Sequence, residues 1–70
     1  MSVTEYRVTG MTCGHCEASI REEVGEIAGV QGIEVSAETG RLVVTALDEV
    51  GDDQVIAAVE EAGYTAERVG

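Results

Sequence analysis

The sequence predicts an α+β sandwich in which two helices cover one face of a four-stranded antiparallel sheet. Three observations carry that prediction. Short runs that alternate apolar and polar residues, the period of a half-buried strand, recur along the chain. Between them lie two segments whose apolar residues recur at helical spacing. The two middle strand-like runs are joined by the turn Glu38-Thr39-Gly40, which makes them a hairpin.

The first strand spans Thr4 to Thr9, with Tyr6 and Val8 facing one way and Glu5, Arg7 and Thr9 the other. Gly10 to His15 breaks the alternation and reads as a loop. From Cys16 the period lengthens, and Cys16, Ile20, Val24 and Ile27 share one helical face while Glu17, Arg21, Glu22 and Glu26 fall mostly elsewhere. Ser19-Ile20-Arg21-Glu22 also fits a capping box that would start the helix later. The apolar stripe, which already includes Cys16, favours the earlier start. Gly29 is placed to end this helix in a left-handed conformation, with Val30 packing back on the last turn.

A second strand is expected from Gln31 to Ala37, with Ile33 and Val35 inward, and a third from Arg41 to Ala46. Gly40 can adopt the positive φ the turn needs. Asp48 to Asp53 reads as a polar loop whose last residues, Asp52 and Asp53, cap the second helix. Val55, Ile56, Val59 and Ala62 form that helix's apolar stripe, Gly63 ends it, and Tyr64 to Val69 is a short last strand. The order β-α-β-β-α-β is the split βαβ, ferredoxin-like arrangement. Arg7, Glu34 and Thr45 belong on the sheet face that carries no helices.

Residues 1–70 are read as one domain. A chain of this size buries only about 60% of the surface its unfolded form exposes. With no Phe or Trp and two Tyr, its core must be largely aliphatic. Fourteen acidic residues against four arginines give a formal charge of −10. That balance disfavours nucleic acid and anionic membrane as partners, since both call for a basic surface. Met1-Ser2-Val3-Thr4-Glu5 has neither the basic nor the apolar region of a secretory signal, and no run approaches a membrane span. Read as a whole product, the chain is expected to be cytoplasmic, where two close cysteines stay reduced.

The concentrated chemistry is Gly10-Met11-Thr12-Cys13-Gly14-His15-Cys16. Two cysteines three apart at a loop-to-helix junction can aim both sulfurs at one point. The helix N-terminus favours an anion there, which helps form the thiolates that bind metal. Soft thiolates select soft ions, Cu(I) foremost. Structural zinc takes four ligands, and the chain has no second cysteine pair. Two sulfurs suit the low coordination number of Cu(I), and an open site suits transfer.

These residues resemble the heavy-metal-associated domain family, in particular its small bacterial copper chaperones. The resemblance covers essentially the whole chain. It rests on the Gly10 to Cys16 motif, the Gly29-Val30 helix exit and the Ala62-Gly63-Tyr64 segment. It implies the fold just described, Cu(I) held by Cys13 and Cys16, and delivery to the matching metal-binding domains of a copper-transporting P-type ATPase. Copper-sensing repressors are a further recipient it implies. By the same resemblance Met11 packs under the metal loop and Tyr64 shields the site. Thr12 stands where relatives specialised for Zn(II) or Cd(II) often carry Asp, which speaks against a divalent specialisation. The acidic surface departs from the basic docking face of some eukaryotic members.

Other readings stay open on these residues. Met11 can pack in the core or make a weak thioether contact with the metal. His15 can be an exposed loop residue or an auxiliary ligand when two copies share copper in a bridged dimer. Tyr64 can simply pack at the start of a strand. A Cys-x-x-Cys pair before a helix also fits a thiol-disulfide oxidoreductase, although the chain has no Pro to line a thiol-exchange site. A metal-binding domain of a larger metal-transporting ATPase, or a mercury carrier, would use the same pair. As a carrier the chain would not be an enzyme.

Overall fold

A computed structural model of the chain describes residues 2–10, 14–47 and 50–69. The elements run β1 (Ser2–Thr9), α1 (Gly14–Gly25), β2 (Val30–Ser36), β3 (Arg41–Ala46), α2 (Asp52–Glu61) and β4 (Thr65–Arg68). The strands form one sheet in the order β2-β3-β1-β4, with every pairing antiparallel. Each helix therefore crosses over a strand of the other half, which is the expected split βαβ arrangement.

The alternation read from the sequence sets the two faces of the sheet. Tyr6, Val8, Leu42, Val44, Ala46 and Ala66 point under the helices and are buried. They meet Ile20 and Val24 of α1 and Val55 and Val59 of α2. Ile33 and Val35 pack on the same core but stay partly exposed, because β2 is an edge strand. On the open face, Arg7 and Glu34 are exposed, Thr45 is half-buried, and Arg41 pairs with Glu5 at 3.3 Å. Among the described residues no helix is long and apolar enough to cross a membrane.

Helix α1 departs most from expectation, while β1 starts two residues earlier at Ser2 and the ends of β2 and β4 each shift by one residue. Helix α1 begins at Gly14, two residues before Cys16, so Gly14 and His15 are helical and the capping-box start at Ser19 is not used. The same helix stops at Gly25, short of Gly29, and residues 26–29 form turns closed by Ile27 N–H to the Val24 carbonyl and Val30 N–H to the Ile27 carbonyl. Gly29 does adopt a positive φ of 100°. Glycine at position 25 weakens helix continuation, yet Ile27 still packs on the core, so the apolar period outlasts the helix that it marks.

At α2 the N-cap is Gly51, not an aspartate. Asp52 and Asp53 occupy the first turn, where their charge suits the helix's positive end. The Gln54 side chain accepts a hydrogen bond from Gly51 N–H at 3.2 Å, the return half of a capping box. The other end of α2 is as expected. Gly63, with φ 97°, donates to the Glu60 carbonyl, and Tyr64 N–H donates to the Val59 carbonyl. This is a Schellman motif, and it leaves Tyr64 as the exit residue before a strand that begins at Thr65.

The β2–β3 turn depends on Gly40, whose φ is 73°. A Cβ at this position would lie 2.9 Å from the Val8 carbonyl oxygen. Gly40→Ala is expected to lower stability by about 1–2 kcal/mol, read as a lower midpoint in urea unfolding with the slope unchanged.

Tyr6 gives the fold an alkaline limit. Burial pushes its phenol above the ordinary 10.0, and the Asp52 carboxylate adds to this, while Arg68 and a hydrogen bond with Thr4 act in the opposite sense. The unfolded chain thus releases this proton at lower pH than the folded chain does. Its contribution is fully present below about pH 10 and is lost as pH rises through the raised folded value. Urea unfolding at pH 8 and pH 11 should show the loss in the native chain and a smaller one in Tyr6→Phe.

Candidate metal centre

β1 leaves the sheet at the end of the sandwich where Tyr64, one of the predicted site residues, leads into β4. Thr9 pairs with Thr65, so Gly10 and Tyr64 are neighbours across the β1–β4 ladder. A Cβ built on Gly10 would lie 3.5 Å from a ring carbon of Tyr64. Tyr64 is half-buried and packs against the core as well. The Schellman exit of α2 thus sets an aromatic ring beside the residue that opens the cysteine motif.

Cys16 is the third residue of α1 and is 5% exposed. It lies one helical turn before Ile20 and two before Val24, both fully buried, so the apolar stripe that seats α1 on the sheet also fixes this cysteine. Its place in the first turn puts it among backbone N–H groups that have no partner within the helix, at the positive end of the helix dipole. His15 is exposed, which agrees with an outward-pointing residue. Met11, Thr12 and Cys13 lie outside the described residues.

Glu17, which the helical period places off the apolar face of α1, is nonetheless engaged by another element. Glu17 is half-buried, and its Oε2 accepts a hydrogen bond from the backbone N–H of Ala37 at 2.6 Å. The bond joins the first turn of α1 to the turn after β2. An acid in a first helical turn has a sufficient local explanation in the helix dipole, and nothing near Glu17 in sequence signals a partner 20 residues away.

The open face of the sheet carries a shallow depression of about 340 Å³ lined by Glu34, Val35, Ser36, Thr39, Arg41 and Val43. None of these is a predicted site residue.

The family model of the heavy-metal-associated domain matches residues 5–65, nearly the whole chain. The chain belongs to the heavy-metal-associated domain family. Within the family it is similar to the copper chaperone CopZ of Enterococcus hirae, with 42% identity over 65 residues that cover 90% of this chain and 93% of that one. Its fold is also that of a copper-binding domain from HMA7, a P-type ATPase, with a TM-score of 0.95 and 28% identity over 100% of this chain and 96% of that one. A mercuric reductase of Shewanella putrefaciens is 37% identical over 59 residues, covering 84% of this chain but 11% of the reductase. Heavy-metal-associated domains therefore occur at this chain's own length and as small parts of much longer proteins. The feature common to such different settings is the module itself.

Proposed function

We propose that this heavy-metal-associated domain is a copper carrier: it binds Cu(I) through the thiolates of Cys13 and Cys16 and delivers it to the metal-binding domain of a copper-transporting P-type ATPase. The observation that carries this reading is the placement of the motif. Cys16 is held in the first turn of α1 by the core stripe, at the helix end that favours a thiolate, and Cys13 stands three residues before it. The donor set suits the ion, since two soft sulfurs match a soft monovalent metal. Structural zinc normally takes four ligands, and the sequence has no second cysteine pair to supply them.

Cu(I) is cargo in this reading, so the site must release as well as bind. An incoming partner thiolate adds to the open two-sulfur site before one of the first two leaves, and copper is never without a ligand. In this reading Tyr64, whose ring lies beside the backbone of Gly10, serves to shield the bound ion. Similarity to a bacterial copper chaperone over nearly its full length supports delivery as the task, and likeness to a copper-binding ATPase domain supports docking between two similar folds. A copper-sensing repressor is a second recipient, two copies of the chain can share copper as a dimer, and the setting is cytoplasmic.

Anaerobic titration with Cu(I), Zn(II) and Hg(II), read by native mass spectrometry, tests the proposal. One Cu(I) per chain, retained against Zn(II), is expected. Transfer to an isolated ATPase metal-binding domain should follow on mixing. Turnover of a disulfide substrate without metal would instead favour an oxidoreductase and overturn the carrier reading.

A further inference from the structure

We propose that Glu17 is a positioning residue for the metal centre, acting through the turn between β2 and β3. The proposal rests on the reading of Cys13 and Cys16 as a soft-metal site.

The turn is tied to both chain segments that flank residues 11–13. On the strand side, Val8 N–H donates to the Gly40 carbonyl at 2.7 Å. On the helix side, Ala37 N–H donates to Glu17 Oε2 at 2.6 Å. The turn is closed on itself by Gly40 N–H to the Ser36 carbonyl at 2.9 Å. Residues 36–40 thus act as a brace between the end of β1 and the first turn of α1. Glu17 is the strut on the helix side, and it is bonded directly to Cys16 in the chain.

A two-sulfur site depends on the separation of its sulfurs, which is set by where the strand stops and the helix starts. The core stripe holds α1 from beneath, through Cys16, Ile20 and Val24. It holds the first turn on the Cys16 side alone, and the side away from the core can still fray, as helix ends do. The Glu17 tie opposes that fraying with a hydrogen bond that spans from α1 to the turn after β2. A negative charge gives no help to a site built from two thiolates. The useful property of Glu17 is therefore its reach and its acceptor oxygen, not its charge.

This separates three substitutions in the full chain. Glu17→Gln keeps length and acceptor, Glu17→Asp shortens the reach by one methylene, and Glu17→Ala removes the acceptor. Cu(I) affinity is measured anaerobically by competition with bicinchoninate, alongside hydrogen exchange of the Ala37 amide by NMR. Glu17→Ala and Glu17→Asp are expected to weaken Cu(I) binding about tenfold, the scale of disturbing a ligand's support, and to speed exchange at Ala37. Glu17→Gln is expected to stay within about twofold of the native chain. Native affinity in Glu17→Ala overturns the proposal, as does a Glu17→Gln variant as weak as Glu17→Ala. A native chain that retains no Cu(I) overturns the site reading itself, while exchange at Ala37 still reports whether the strut exists.

Discussion

Cys13→Ala and Cys16→Ala are each expected to weaken Cu(I) binding by more than about 100-fold. Disturbing only the groups that support a metal ligand already costs about 10–100-fold, and these substitutions remove half the donor set. The remaining thiolate can hold copper only with help from solvent or a second chain, so retention against bicinchoninate should fail. The two variants should differ in their cost to the fold. Cys16 is 5% exposed in the apolar stripe of α1, and its loss opens a small void there worth about 1 kcal/mol. Alanine is the better probe than serine at this position, because it offers the metal no oxygen donor in place of the sulfur. Since the metal binds thiolates, native affinity should also fall as pH is lowered, with two protons released per copper bound at low pH. Unchanged copper retention in either alanine variant would remove the basis for the proposed site.

The parts of this protein that were legible in its sequence are those whose cause is local. The strand period sets the faces of β1 and β3, and β3 runs from Arg41 to Ala46 as read, because a central strand shows its alternation on both sides. The turn at Gly40 and the exit of α2 at Gly63 were legible because positive φ selects glycine. The limits of α1 were not, because an apolar stripe reports which residues face the core rather than which residues are helical. Ile27 packs, partly buried, against the core from beyond the end of the helix. The aspartates before α2 suggested a cap that Gly51 provides instead, since Asp is favoured both at the cap and in the first turn. The site divides in the same way. The cysteines of the candidate site are close together in the chain and mark a loop-to-helix junction, although α1 starts two residues earlier than read, at Gly14. The contact of Tyr64 with Gly10 follows from strand pairing, and the Glu17 tie to Ala37 follows from a side chain that spans elements; composition and period encode neither.

Leu42→Ala is expected to lower the stability of the metal-free chain by about 2–5 kcal/mol, the usual range for truncating a buried leucine. Leu42 is fully buried and stands on β3 between Tyr6 of β1 and Val35 of β2, where the sheet has little room to collapse around a void. At about 0.05–0.15 kcal/mol per residue, the whole domain has roughly 4–10 kcal/mol to lose. A large part of the population should therefore unfold under conditions where Ile20→Val, at about 0.5–1.5 kcal/mol, leaves the chain folded. Chemical unfolding with and without metal then links core to site. A ligand at about 1,000 times its dissociation constant stabilises a folded state that alone binds it by about 4 kcal/mol. Copper should accordingly restore part of what Leu42→Ala removes. It should not restore all of it, because two cysteines three residues apart remain close in the unfolded chain and can still hold Cu(I) there. The gap between the full linkage value and the observed rescue measures how much of the affinity comes from the folded end of α1 rather than from spacing alone. In Leu42→Ala combined with Cys16→Ala the rescue should vanish, and rescue that persists there would place copper somewhere other than this cysteine pair.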